Sequence, residues 1–246
     1  IEELSQIISM DPSLSSRLVQ IISSPYINLP KAVNSIKTAV VYLGLDTIRN
    51  IAISTSAMRF FDVPRQFVEF DLPGFWYHSY KCAVLAKRIA EENQLSNPDE
   101  YFLAGLLHDI GRLVLIRNFP EAYRKILETP STERQRLAAE KKAFGADTPQ
   151  ISAWLFDQWN LNPLIADAVL YVNEEIEQVE SALSHVKEIF IANALAQPEA
   201  LEKIDTVVSL TDIPGYRLEQ IALEAEEEVA RMAKSLGINM DDVQDE

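Results

Sequence analysis

The stretch Leu106-Leu107-His108-Asp109-Ile110-Gly111-Arg112-Leu113 constrains the fold more than any other part of the chain. It sets the only adjacent His-Asp pair inside an otherwise apolar run. Apolar runs are buried on folding, and burying an ionised carboxylate is costly unless something pairs with it. Any architecture open to this chain must therefore bring partners to the segment. A metal ion would serve, and so would a hydrogen-bond network.

The punctuation around that segment is helical. Glycine is scarce, at 7 of 246 residues. Asp11-Pro12 reads as a cap followed by a first helical residue, ahead of Leu14, Leu18, Ile21 and Ile22 at helical spacing. Residues 24–30 read as a loop. Helices are predicted over 35–43 and 48–60, joined at Gly44 with Asp46 as a cap. A long helix follows over 75–93, and Asn97-Pro98-Asp99-Glu100 is a helix start with cap, proline and carboxylate. Further helices are predicted over 121–127, 133–144, 149–159, 163–171, 181–196 and 218–236, with Gly145 and Gly237 just past two of them. Val207-Val208-Ser209-Leu210 has strand composition but no partner strand. The expected class is all-α. Proline and aromatic residues between 64 and 74 place a boundary there, dividing an amino-terminal helical part (1–70) from a helical bundle with a C-terminal helix (71–246).

Hydrophobic residues make up 48% of the chain, enough for a substantial core. The formal net charge of -15 repels phosphate backbones and anionic lipid, so neither nucleic acid nor a membrane surface is an expected partner. The turn at Gly44 has helix-turn-helix form, but its second helix offers only Arg49 and Arg59 as cations, and an αα-corner accounts for it better. One cysteine, Cys82, permits no internal disulfide and points to a reducing compartment, the cytoplasm. No apolar run reaches membrane-spanning length, and no signal segment opens the chain. The chain opens at Ile1 within a helical pattern, as expected for a piece of a longer protein.

His78 falls on the apolar stripe of the 75–93 helix, with Phe75, Cys82, Leu85, Ala86 and Ile89. His108 and Asp109 come thirty residues later. Two imidazoles and a carboxylate from two packed helices are a known facial set for iron, and three protein ligands can hold a zinc with one open position. The same three residues also make a core pair satisfied by hydrogen bonds. Arg112 and Lys81 stand near enough in sequence to contact an anion, and Arg112 serves equally well as a partner for a carboxylate.

The order His, thirty residues, then His-Asp-Ile-Gly resembles the HD superfamily of metal-dependent phosphohydrolases. It is most similar to the HDOD branch, the HD-related output domain of bacterial signalling proteins. Three segments carry the resemblance: 11–18, beginning Asp11-Pro12-Ser13-Leu14; 33–45, ending Tyr42-Leu43-Gly44-Leu45; and Ala104-Gly105-Leu106-Leu107-His108-Asp109-Ile110-Gly111. It implies a helical bundle of the HD type with an amino-terminal helical subdomain.

The departures from the active pattern concern the metal. Active relatives of the HD-GYP kind carry a further His where this sequence has Thr148, which reads as a helix cap before Pro149. They carry imidazoles near the end of the next helix, where this sequence reads Leu170-Tyr171-Val172-Asn173. Asn193 stands where the last metal carboxylate falls, and an amide is a neutral, weaker ligand. Pro214-Gly215-Tyr216 is not the Gly-Tyr-Pro element of that family, and His185 reads as a surface or boundary residue. The resemblance thus implies a non-catalytic regulatory module with no required cofactor. A divalent ion at His78, His108 and Asp109 would be a remnant, and a minimal phosphohydrolase at that site is the alternative. Expected partners are signalling proteins, with an upstream receiver or similar domain. Candidate contact residues are Tyr26, Phe67, Phe70 and Trp76. The C-terminal helix should dock by Leu218, Ile221, Ala222, Ala225, Val229 and Met232, ahead of an acidic tail at 241–246.

Overall fold

The computed structural model describes residues 2–22, 35–61, 63, 67–129, 132–198, 200–236 and 238. The expected loop at 24–30 with Tyr26, the start of the 33–45 segment, Gly237 and the acidic tail lie outside the described residues. All regular structure among the described residues is helical. The first helices are α1 (Glu2–Ser9), α2 (Pro12–Ile22), α3 (Ile36–Leu43) and α4 (Leu45–Phe60). Then come α5 (Leu72–Glu92), α6 (Pro98–Leu107), α7 (Ile110–Asn118), α8 (Pro120–Leu127), α9 (Glu133–Phe144), α10 (Thr148–Gln158) and α11 (Pro163–Leu170). The last are α12 (Ile176–Val179), α13 (Ser184–Ala196), α14 (Ile204–Val207) and α15 (Gly215–Leu236). No helix among the described residues is long and apolar enough to cross a membrane.

The chain divides into two compact units, residues 1–60 with 227–246, and residues 61–226. The sequence places the division ten residues later and keeps the C-terminal helix in the second part. In the structure α15 contributes to both units. The first unit buries Leu18, Ile21, Ile22, Ile36, Val40, Ile48 and Ile51. Asp11 caps α2 as expected, its Oδ1 accepting from the Ser13 and Leu14 amides at 2.9 and 3.0 Å. Ser35 caps α3, accepting from the Thr38 amide at 3.1 Å.

The second unit is built around α5, which packs chiefly on α6 and α13. Cys82, Ala83, Leu85, Ala86 and Ile89 of α5 are fully enclosed. Two glycines set the helix spacing that matters for the site. A Cβ at Gly105 would lie 2.7 Å from the Ala83 Cα and the Cys82 carbonyl oxygen, so α6 meets α5 backbone to backbone. A Cβ at Gly111 would lie 2.4 Å from the Thr148 carbonyl oxygen, so α7 meets the start of α10 the same way. Both contacts are closed to any residue with a side chain.

Several local expectations are corrected. Val207–Leu210 is not a strand: α14 ends at Val207 and a 3-10 turn covers Val208–Leu210, the hydrogen-bonding alternative for an apolar segment without a partner strand. Asn97 precedes α6 in a left-handed conformation (φ 55°) and makes no side-chain cap, while Asp99 is drawn to Lys87 at 2.8 Å. Thr148 does not cap α10. Asp147 does, in a reciprocal box with Gln150, and Thr148 is buried one residue inside. Phe67 and Phe70 are not exposed but 3% and 9% accessible, and Trp76 is equally buried. Phe70, Phe75 and Trp76 pack ring against ring, at centroid distances of 5.7 and 5.2 Å, so these aromatics are core rather than contact surface.

Candidate functional site

The His-Asp run is not one helix. α6 stops at Leu107, His108 and Asp109 form a turn, and α7 restarts at Ile110. The turn faces His78 on α5 and Asn193 on α13, both within the second unit. The His78 and His108 rings stand edge to face, with centroids 5.3 Å apart. His108 Nδ1 lies 2.7 Å from the Gly105 carbonyl oxygen. A carbonyl only accepts, so Nδ1 carries the proton and donates.

His78 is held differently. The Asn193 amide nitrogen donates to the Val172 carbonyl at 3.2 Å, which turns Asn193 Oδ1 toward His78 Nε2 at 3.1 Å. Nε2 of His78 is therefore the donor in that bond. Burial, and then His108 beside it, push the His78 pKa down to about 4, so the ring is neutral at ordinary pH. Asp109 is 8% accessible. Burial alone would raise its pKa, but the positive charge of Arg136, with His108 and Arg112, holds it below the usual carboxylate range.

Arg136 belongs to a second cluster on the other side of the turn. It pairs with Glu140 one helical turn along α9 and with Glu133 one turn back. Arg136 Nη1 also donates to the Tyr123 hydroxyl at 3.0 Å and the Thr148 hydroxyl at 3.3 Å. Tyr123 donates to Glu140 at 2.6 Å, and the Thr148 amide donates to the other Glu140 oxygen at 2.8 Å. Arg136 is 5% and Glu140 0% accessible. Sequence reasoning missed this cluster, because an Arg and a Glu four apart on an amphipathic helix read as a solvated pair.

A cleft of about 620 Å³ opens beside the turn. His78, His108, Asp109, Arg112, Asn173 and Asn193 line it on the polar side, and Phe70, Phe75 and Phe190 on the apolar side. The Arg112 guanidinium carbon sits 4.9 Å from the centre of the Phe70 ring. Asp109 Oδ1, Arg112 Nε and Asn173 Nδ2 are buried without a hydrogen-bond partner.

The donors do not fit a hydrolytic metal centre. His78 Nε2 is committed to Asn193, and Asn193 is a neutral amide. The Thr148 hydroxyl accepts from Arg136. Among the described residues no group of three His, Cys, Asp or Glu side chains could hold a metal ion. The structure brings His78, His108 and Asp109 together at the cleft. Cys82 is buried and free, and burial pushes its thiol pKa up, which removes it as a nucleophile.

Of the two anion contacts expected from the sequence, Arg112 lines the cleft and Lys81 does not. The Lys81 ammonium pairs with Glu226, which also accepts from Tyr77 at 2.5 Å. An opposite charge was within reach on α15, and sequence distance hid it. His185 is also corrected: it is 8% accessible, with Nε2 3.7 Å from Asp167 across the packed faces of α13 and α11.

A family model for the HDOD domain matches residues 1–175. A solved structure from Shewanella amazonensis that bears a provisional phosphohydrolase name is 23% identical, superposes with a TM-score of 0.76, and covers 96% of this chain and 87% of its own. The MmoQ response regulator from Methylococcus capsulatus is 25% identical, with a TM-score of 0.52 over 94% of this chain and 88% of its own. An uncharacterized protein of Treponema pallidum is 22% identical over 240 residues, 96% of this chain. The chain spans 45% of the length of that curated relative.

Proposed function

This chain belongs to the HDOD domain family, and we propose that it acts there as a non-catalytic signal-transduction module, a degenerate HD domain that relays a signal through contacts. One observation carries the reading. The field of the fixed cation Arg136 holds Asp109 ionised while its Oδ1 stays without a hydrogen-bond partner, and the neighbouring positions Thr148 and Asn193 offer a hydroxyl and an amide, both already hydrogen-bonded, in place of further metal-binding side chains. Phosphoester hydrolysis of the HD type needs a metal to activate water and to offset charge on phosphoryl oxygens. Arg136 offsets charge but activates no water.

The alternative is a minimal phosphohydrolase at His78, His108 and Asp109. It is favoured by the His108 tautomer, which leaves Nε2 without a proton in the neutral ring, and by the name of the Shewanella relative. Two measurements on the purified chain separate the readings. Metal content is expected to stay far below one ion per chain after incubation with manganese, iron or zinc, and to be the same in His108→Ala. Incubation with cyclic dinucleotides and nucleotide phosphoesters, with those metals added, is expected to give no turnover. Stoichiometric metal lost in His108→Ala, together with metal-dependent hydrolysis, would sink the non-catalytic reading.

The expected partners are signalling proteins in the cytoplasm, with an upstream receiver or comparable domain. The response-regulator name of the Methylococcus relative supports that class of partner.

A further inference from the structure

We propose that the cleft beside Asp109 is a receptor site for a small zwitterion, a free amino acid with an apolar side chain. The proposal rests on the non-catalytic reading, since a metal would claim the same carboxylate. It starts from three buried polar atoms on residues that line the cleft: Asp109 Oδ1, Arg112 Nε and Asn173 Nδ2. Nearly all buried polar atoms in folded proteins have partners, so three without them at one cleft mark a recognition site. The Asp109 side chain is more than nine-tenths buried.

The set defines its complement. Asp109 offers an anionic acceptor, while Arg112 and Asn173 offer donors, one of them cationic. The smallest ligand that answers all three carries an ammonium and a carboxylate, with the ammonium to Asp109 and the two oxygens to Arg112 and Asn173. Charge favours a zwitterion over a phosphate. Asp71 and Asp109 line the cleft with Arg112 and Lys203, while the other two lining carboxylates are paired, Glu69 with Arg124 and Glu133 with Arg136. A dianion would upset that balance, whereas a zwitterion adds no net charge. Phe70, Phe75 and Phe190 give the remaining wall an apolar and aromatic character, which suits an apolar side chain. The volume lies within the range of small-molecule sites.

The test is calorimetric titration of the whole chain in metal-depleted buffer with a panel of free amino acids, and with inorganic phosphate and adenosine monophosphate as rivals. Saturable binding of at least one apolar amino acid is expected. It should weaken about ten- to a hundredfold in Asp109→Asn and in Arg112→Gln, each of which removes a charged hydrogen-bonding group. If Asp109→Asn does not fold, Arg112→Gln, at a half-buried position, carries the comparison. No binding across the panel, binding unchanged in a folded variant, or tighter binding of phosphate than of any amino acid overturns the proposal. Hydrolysis and metal content are read on separate samples, so a failure of the non-catalytic reading shows there and not in the titration.

Discussion

Glu140 and Glu188 are both buried in the second unit, and their surroundings differ. Glu140 is 0% accessible, with both oxygens engaged: Tyr123 and Arg136 on one, the Thr148 amide on the other. Glu188 is 3% accessible, with one oxygen accepting from Asn93 at 2.6 Å and the other without a partner. Burial pushes the Glu188 pKa up to about 7, against an ordinary value of 4.5. Depth is the same; partners differ. A buried acid with a complete set of partners is scaffold, and an acid with half a set is left to titrate. The Glu140 cluster joins α8, α9 and the start of α10, and the charge of its Arg136 also helps hold the Asp109 pKa down. Glu188 ties α13 to the end of α5, away from the cleft.

The largest effect should come from breaking the complete set. Glu140→Ala leaves the Arg136 guanidinium buried with Glu133, at its exposed end, as its remaining ion-paired carboxylate among the described residues. The expected loss is about 3–5 kcal/mol in chemical denaturation. Replacing both partners with apolar residues of similar volume, Arg136→Met with Glu140→Leu, should recover much of it, since a buried pair often contributes little net stability over a packed apolar one. A loss under about 1 kcal/mol for Glu140→Ala would mean that water reaches the cluster and that the contrast with Glu188 is not one of partners.

How much of this was legible beforehand depended on what the signal was. Helical periodicity located α9, α10 and α15, because amphipathic stripes and caps are local. Leu218, Ile221, Ala222 and Ala225 are buried as their stripe predicts. His78, His108 and Asp109 were found because ionisable groups stand out in apolar runs. Asn193 stands beside them as the family resemblance implies, and its amide does reach His78. Arg136 and Glu140 were invisible because their stripe is polar and only the fold buries it. Lys81 was misplaced because its partner, Glu226, lies 145 residues further along the chain, and no local rule pairs them. Phe67 and Phe70 were misjudged because a loop-like sequence does not reveal that the loop is covered.

The next effect in size is the pH dependence of the incomplete set. The folded pKa of Glu188 lies above its unfolded value, so the folded state favours the protonated acid. Its contribution to stability is fully present below about pH 4.5 and is lost as the pH rises to about 7. The loss is of order 3 kcal/mol across that window. Glu188→Gln, which keeps shape and stays neutral, should flatten the window and be the more stable protein at neutral pH. Lys187 and Tyr101 are the neighbouring titratable groups, and burial raises the Tyr101 pKa above its ordinary value of 10, so that phenol stays neutral across the window. Urea midpoints of both proteins at several pH values decide the matter. A wild-type curve that runs parallel to the variant's would show that Glu188 has a second partner.

The smallest effect separates a set of partners from a list of them. Tyr123→Phe removes one hydroxyl, which donates to Glu140 and accepts from Arg136, and leaves those two paired with each other. The ring stays packed against Phe144, at 6.3 Å between centroids, so no cavity forms. If the contacts act independently, the loss is about 1 kcal/mol, the net value of one hydrogen bond. If they act as one polarised network, the loss approaches that of Glu140→Ala, and the double variant Tyr123→Phe with Glu140→Ala costs little more than either alone. The cluster surrounds the cation whose field acts on Asp109, so the second outcome would also predict a Tyr123→Phe effect at the cleft. It would appear as weaker amino acid binding in a variant that touches no cleft residue. A loss near 1 kcal/mol with unchanged binding would confine the network to scaffolding.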